Sequence, residues 1–412
     1  MKKNLLASLI LLSSVNLFGA GFQLNLQGIR QMAQGGTGTA WPWDASTIFY
    51  NPAGLARLKS IQAYASIAFV MPSTAYGSSM SSARTHQQTF TPFNVYIGGP
   101  VQQDSRFAIG LGVYNNAGEG MKWDDDWQGA YMVQSINFNA IMFQPTLSYR
   151  ISDFISAGAG FVYGTGTFDM TQAMPVHGLN GPQIVYGDNG QAHLKGTASG
   201  VGFNAGLHIK PSDNFQIGLT YRSQVTMDVT GGSAYFTVPN SLKDQFPNTH
   251  FNTFLPLPQV ASIGIGVRPS EPLTINFDLS YIGWNSYDSL KINFDQQTDA
   301  LHNMHAPRHY KNTWVPRIGA NYKVSKVVSV MLGANYDATP VPDNYVSPDL
   351  PDADRVNITC GASIKPFHRF TVLAAFEGTS SLKRSGKYEY GNFEGTYKTE
   401  ALSFGLGVYY NL

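Results

Sequence analysis

From Ile61 to the carboxyl end the chain alternates apolar and polar positions with a period of two, the spacing that gives each face of a β-strand its own side-chain set. The last segment is the clearest. Leu402, Phe404, Leu406, Val408, Tyr410 and Leu412 form one face, and Ser403, Gly405, Gly407, Tyr409 and Asn411 the other. Leu273, Ile275, Phe277, Leu279 and Tyr281 repeat the pattern, as do Val356, Ile358, Cys360, Ala362 and Ile364. Fourteen such segments are readable, near 60–71, 90–98, 105–115, 140–151, 154–165, 197–210, 214–228, 257–268, 272–286, 312–324, 327–338, 354–365, 369–378 and 400–411. Short connections (Gly98 to Asp104, Ile151 to Asp153, Pro211 to Asp213, Pro269 to Glu271, Val324 to Lys326, Pro366 to His368) alternate strictly with long ones near 72–89, 116–139, 166–196, 229–256, 287–311, 339–353 and 379–399. An even strand count with one tight rim and one looped rim is the order of a bacterial outer-membrane barrel. It places both termini on the short-turn, periplasmic side. Glycine on the polar faces favours apolar side chains toward lipid and small or polar ones toward a lumen.

Composition sharpens this picture. Charged residues are 13% of the 412 positions and aromatics another 13%, against roughly 25% charged in a soluble domain. A net charge of +1 argues against nucleic acid, which would require a clustered basic face. The chain beyond the leader has no uninterrupted apolar run near the ~20 residues of a spanning helix. The single cysteine, Cys360, supports no disulfide framework and reads as a small strand residue. Arg150, Lys210, Arg268, Lys323 and Lys365 each close a strand before a short turn and read as a polar rim.

The amino-terminal region breaks the alternation. Met1-Lys2-Lys3 and the apolar run Leu5 to Leu12 have the form of a secretory leader, so residues 1–20 are expected to be a signal peptide cut after Gly19 or Ala20. Residues 21–58 are Gly-rich and poorly periodic, and include Trp43 to Leu55. Within that stretch Asn51-Pro52-Ala53-Gly54 is turn chemistry, because Pro52 fixes its own φ and biases Asn51 to extended backbone. So compact a segment makes sense as a hatch held inside a larger structure, with the barrel at 59–412.

Gly21-Phe22-Gln23-Leu24-Asn25, Gly35-Gly36-Thr37-Gly38, Asp44-Ala45-Ser46-Thr47 and Asn51-Pro52-Ala53-Gly54-Leu55 together resemble the amino-terminal hatch of the FadL family of outer-membrane transporters. Ser347 to Arg355 resembles the Pro-Asp-x-x-Arg stretch that enters a late strand there, so the resemblance spans the mature chain. It implies an all-β membrane protein, a 14-stranded antiparallel transmembrane β-barrel whose lumen the hatch plugs. It also implies passive uptake of long-chain fatty acids or aromatic hydrocarbons, captured in an extracellular groove, passed to a lumenal pocket and released sideways through the wall. By the same resemblance Gly21, Phe22 and Leu24 line the pocket, and Asn51, Pro52, Ala53 and Gly54 hold the hatch. Gly110, Gly112, Asn115, Asn116 and Gly118 form a third-strand kink, where Gly and Asn also tolerate the backbone angles of a bulge.

Two departures bear on the ligand and on assembly. No Lys or Arg occurs between Arg150 and Lys195, where fatty-acid members use basic groups near the pocket; this leaves room for a neutral ligand, with Arg222 or Arg317 as alternative cations. The chain ends in Leu412, not an aromatic, leaving Tyr410 to serve the barrel-insertion machinery. Burying apolar ligand surface yields roughly 25 cal/mol per Å². Met121, Trp123, Trp127, Tyr131 and Met132 in the second long connection, and Phe246, Phe251, Phe254 and Leu255 in the fourth, are the capture candidates.

The expected partners are a hydrophobic small molecule and outer-membrane lipid, with a monomer and no nucleic acid, catalytic set, metal or cofactor. The His302, His305 and His309 group (with His250 and His86 in other loops) and Asp124-Asp125-Asp126 read as solvated loops. Gly35 to Gly38 lacks the strand–helix setting of a phosphate loop. Asn357-Ile358-Thr359 lies within a strand, which sets aside its glycosylation reading. A general diffusion porin is the alternative function.

Overall fold

A computed structural model describes residues 21–174 and 190–412. The expected leader, its cleavage position and the middle of the third long connection lie outside the described residues. Fourteen antiparallel strands form the wall: β1 (Gln62–Gly77), β2 (Phe93–Pro100), β3 (Phe107–Lys122), β4 (Ser135–Arg150), β5 (Ile155–Ala173), β6 (Gln191–Ser212) and β7 (Phe215–Arg222, resumed at Val225–Thr237). They continue with β8 (Thr249–Leu257, resumed at Val260–Ser270), β9 (Leu273–Ile282), β10 (Thr313–Lys323), β11 (Val328–Asp337), β12 (Arg355–Phe367), β13 (Phe370–Ser381) and β14 (Phe393–Asn411). Each pairs with the next, and β14 closes on β1 from Gln62↔Asn411 to Gly77↔Thr396. Closure leaves the wall no free edge over that span, the condition for a sheet to cross lipid.

The faces are inverted relative to a soluble barrel. Leu402, Phe404, Leu406, Val408 and Tyr410 are exposed while Ser403 is buried, and Ile109, Leu111, Leu147, Phe161, Ile318, Leu332 and Ile358 add to the outer apolar band. Cys360 is exposed on that surface. All fourteen expected segments are strands, but several run longer. β6 has 22 residues and β14 has 19. Their outer ends leave the apolar band, so the alternation that marks a strand in sequence fades while the ladder continues. Most of the fourth long connection is likewise strand, as the upper parts of β7 and β8 pair from Thr249↔Ala234 to Leu257↔Val225.

Residues 28–56 are almost entirely buried within the ring. The one-turn helices α1 (Ile29–Met32) and α2 (Thr47–Tyr50) are followed by a 3-10 helix, Pro52–Arg57. Inner-face side chains satisfy this irregular backbone around the circumference. Tyr64 on β1 accepts from Ile29 N at 2.7 Å, and Tyr96 on β2 donates to Gln27 O at 2.9 Å. Asn204 on β6 donates to Phe49 O at 2.9 Å, and Asp278 on β9 accepts from Gly38 N and Thr39 N at 2.9 and 3.0 Å. Asn335 on β11 donates to Gly35 O at 3.0 Å, and Thr359 on β12 accepts from Gly35 N at 2.9 Å.

Asn51 is the joint of the segment. Its Oδ1 caps the 3-10 helix by accepting from Ala53 N at 3.1 Å, with Pro52 at the first helical position. Its Nδ2 donates to Thr39 O at 2.8 Å and to Leu207 O of β6 at 3.1 Å. The wall approaches too closely here for side chains. A Cβ on Gly158 would lie 2.5 Å from the Pro52 carbonyl carbon, one on Gly206 would overlap Asn51, and one on Gly218 would overlap Thr39 O.

Gly218→Val should therefore unseat the segment and cost on the order of 1–3 kcal/mol by overpacking, read as a lower urea midpoint in micelles and faster proteolysis near residues 30–57. Gly77→Val, where a Cβ meets nothing within 4 Å, should match the unmodified protein in both assays.

Candidate functional site

The site forms where the wall is incomplete. β2 has only eight residues, and its ladder with β3 ends at Asn94↔Tyr114. Beyond that point β3 bulges, its register with β4 shifting between Asn115 and Ala117. Residues Phe22 to Leu24 take up part of the freed edge: Leu24 N donates to Asn116 O and Gly118 N to Phe22 O, both at 3.2 Å, around a Gln23↔Ala117 bridge. The short β2, the bulge and the amino-terminal segment thus frame a cavity of about 580 Å³, within the roughly 300–1,000 Å³ of small-molecule sites.

Its apolar side is made by Phe22, Leu24, Phe90, Met121, Phe138 and Leu350. Phe22 is fixed edge-on against Trp284 at 4.9 Å and Tyr287 at 5.8 Å. Gly21 has φ +54°, and a Cβ there would overlap the Trp284 ring, so only glycine turns the chain into this corner without strain. Gly21 N donates to Asp352 Oδ2 at 3.2 Å, and Arg355 Nη2 donates to Gly21 O at 3.3 Å. The lining also carries the polar groups Glu119, Asp337, Asp352, Arg355 and Glu377.

Above the cavity the extracellular-type loops are braced by buried contacts. Trp123 and Trp127 stack at 4.3 Å and meet Tyr76, which stacks on Phe393 at 5.4 Å. Arg308 forms a two-pronged pair with Asp349, Nη2–Oδ2 at 2.6 Å and Nη1–Oδ1 at 3.1 Å, and also bonds Ser347. Burial pushes the Asp349 carboxyl up, but the Arg308 guanidinium and the hydrogen bonds from Arg308 and Ser347 outweigh it and hold it below the usual carboxylate range.

Of the expected ligand-binding residues, Gly21, Phe22, Leu24 and Met121 line the cavity. Trp123 and Trp127 do not; they are spent on the buried stack, with indole N–H groups bonded to Pro348 O and Val133 O. Phe246 packs on Phe236 and Phe251 on Phe168, and Phe251 and Phe254 belong to the strand section of β8. None of the three borders the cavity. Asn115, Asn116 and Gly118 sit at the bulge, whereas Gly110 and Gly112 stand in regular ladder with β2 and β4. Those two glycines make room instead, a Cβ on Gly110 lying 2.7 Å from Ile48 Cδ1.

The alternative cations are engaged elsewhere. Arg222 lies over the Phe49 ring at 3.7 Å, and Arg317 bonds Ser280 at 2.6 Å and Asn25 at 3.3 Å. Two basic side chains border the cavity, His86 and Arg355, the latter inside the Pro-Asp-x-x-Arg stretch; neither is singled out by sequence as a cavity group. Phe90 was also missed; in sequence it is one aromatic at the edge of a loop. In the loops, His86 pairs with Asp124 at 2.8 Å and His309 with Asp288 at 2.6 Å.

Residues 10–412 match the family described as outer membrane protein transport protein (OMPP1/FadL/TodX). The chain belongs to this family of outer-membrane transport proteins. It is 23% identical to the long-chain fatty acid transport protein of Escherichia coli O6:H1, across 99% of this chain and 98% of that one. It is 23% identical to outer membrane protein P1 of Haemophilus influenzae over 70% of this chain and 65% of that protein. Among solved structures, a Pseudomonas aeruginosa FadL homologue superposes with a TM-score of 0.82 at 19% identity, covering 95% of this chain and 100% of that one. The Pseudomonas putida toluene transporter TodX gives 0.74 at 15%, with 93% and 98% covered. These likenesses establish the fourteen-stranded outer-membrane fold.

Arg308→Met leaves Asp349 charged, buried and unpaired and should cost about 3–5 kcal/mol, seen as a lower melting temperature in detergent. Adding Asp349→Leu should recover most of the loss. Because the Asp349 carboxyl is depressed on folding, its contribution is complete above the ordinary aspartate range and disappears as pH falls through the folded value. The stability gap between the native pair and the double variant should accordingly shrink only in acid below about pH 4.

Proposed function

We propose that this protein carries hydrophobic small molecules passively across the outer membrane, by capture among the long loops, transfer into the cavity beside Phe22 and lateral release through the wall at the β3 bulge. The observation that carries this reading is the coincidence of three features: an amphipathic cavity, a β3 edge without its β2 partner, and a lumen filled beneath by residues 28–56. An apolar molecule seated there has packed backbone below it and an interrupted wall beside it. The sideways path into lipid is then shorter and less polar than a path through the lumen. Long-chain fatty acids and aromatic hydrocarbons, named for the relatives, are the substrate classes from which to begin.

In this scheme residues 1–20 act as the leader, 21–58 as the hatch and 59–412 as the barrel. Asn51, Pro52, Ala53 and Gly54 hold the hatch; Gly21, Phe22, Leu24 and Met121 contact ligand; Asn115, Asn116 and Gly118 shape the exit. Both ends of the wall meet at the short-turn rim, where Leu412 N donates to Ile61 O at 2.9 Å, which fits a periplasmic position for the termini. Lipid covers the outer apolar band, the insertion machinery reads the last strand, and the barrel works as a monomer. No phosphate loop or energy-coupling motif accompanies it, so flux follows the concentration gradient. A general porin is the competing function, and the filled lumen speaks against it.

Planar-bilayer conductance and liposome uptake together test the scheme. The intact protein is expected to conduct little and to take up a fatty acid or toluene saturably. Removing residues 21–58 should raise conductance. Deleting Asn116, which removes the extra residue of the bulge, should cut uptake about tenfold or more without raising conductance. Large steady conductance with the hatch in place and no hydrophobic uptake would establish a porin instead.

A further inference from the structure

The cavity's charge does not suit a carboxylate. Asp352 is already engaged, 4.0 Å from Arg355 and accepting from Gly21 N and from Thr339 Oγ1 at 2.6 Å. Glu119, Asp337 and Glu377 border the same space, and none of them is in an ion pair among the described residues. The ladder register explains how two of them converge. Asp337 lies opposite Arg355, and Glu377 lies opposite Thr359, four positions further along β12 and on the same face. Glu119 borders the cavity from β3, next to Gly118. Asp337 is 2% exposed, and its Oδ1, like Glu119 Oε1, lacks a hydrogen-bond partner among the described residues. Buried acceptors in that condition call for donors, and the adjoining empty volume is where a donor would come from.

We infer that the cavity is selective for apolar molecules bearing a hydrogen-bond-donating head, an amine or a hydroxyl, and disfavours those ending in a carboxylate. The apolar body packs against Phe22, Leu24, Phe90 and Phe138, while the head donates to Asp337 and Glu377. A carboxylate in the same place meets carboxyl oxygens that have no cationic partner, and the one bordering guanidinium, Arg355, is shared with Asp352 and Gly21 O. The inference rests on the transport reading above and narrows its substrate class.

The test is titration of the purified full-length protein in nonionic detergent at neutral pH with four probes: decylamine, 1-decanol, decanoate and toluene. Calorimetry gives the affinities, and liposome uptake of each probe is measured in parallel. The amine and the alcohol should bind about tenfold or more tighter than decanoate, about 1.4 kcal/mol in affinity. Asp337→Asn with Glu377→Gln should bring decylamine and decanoate to within about threefold, at unchanged toluene affinity. Glu119→Gln, on a different strand, supplies a second variant should the first not assemble. Decanoate binding as tightly as the amine, or a gap unchanged in a folded variant, overturns the head-group inference and leaves the transporter standing. No binding or uptake of any probe removes both.

Discussion

A backbone inside a membrane must find its hydrogen-bond partners within the protein, and this molecule meets that constraint twice. The wall does so by closing. The enclosed segment cannot, because it is neither a long helix nor a strand in the ladder, so its amides and carbonyls are met by side chains from the wall. Tyr64, Tyr96, Asn204, Asp278, Asn335 and Thr359 each serve one or two of them. The small and polar inner face is thus a socket. Its Ser, Asn and Gly content resembles that of a water-filled pore, but where Gly158, Gly206 and Gly218 face inward the space is occupied by backbone.

The same constraint locates the cavity. β3 has 16 residues and β2 only eight, so the longer strand runs on without its β2 partner beyond Tyr114. Phe22 to Leu24 cover part of it with two hydrogen bonds, and Asp352 and Arg355 fix Gly21 from the far side of the barrel. Movement of the hatch would therefore be felt at the bulge, because Gln27, which donates to Asn115 O at 2.8 Å, joins them directly. The enclosed segment and the bulge are thus joined by contact, with no intermediary.

The wall was legible because lipid enforces a strict alternation. Leu402 to Leu412 leave no other reading, and tight turns such as Ile151 to Asp153 mark one rim. The strand ends were not legible. Above the lipid band nothing requires an apolar outer face, so β6 and β14 run on without periodic signal. The hatch showed as an irregular segment, and Asn51-Pro52 as its turn, because capping chemistry is local. The site was only half legible. Phe22 and Leu24 flank a motif, but Trp123 and Phe251, aromatics that the sequence puts in long connections, pack on Trp127 and Phe168 away from the cavity, which composition cannot separate from ligand contact. Gly110 and Gly118 look alike in sequence; what distinguishes them is whether β2 reaches that level. Arg355 and Glu377 share the cavity only through barrel register.

The bulge itself is built from a residue with nothing left to offer a ligand. Asn115 Oδ1 accepts from Phe93 N at 3.0 Å, and its Nδ2 donates to Asn139 Oδ1 at 2.9 Å and Ala140 O at 3.0 Å. All of these bonds join the end of β2, the bulged strand and β4. A side chain used in this way does not recognise cargo; it stitches the margins of the gap so that the ladder stops there without fraying further. The unsatisfied acceptors of the cavity among the described residues are Asp337 Oδ1, across the cavity on β11, and Glu119 Oε1, on β3 next to Gly118. In the proposed transport scheme, a molecule held by its head at Asp337 would keep its apolar end near Gly118, where the missing side chain leaves Leu24 as the nearest neighbour to a Cβ, and that end would be the first part to meet lipid.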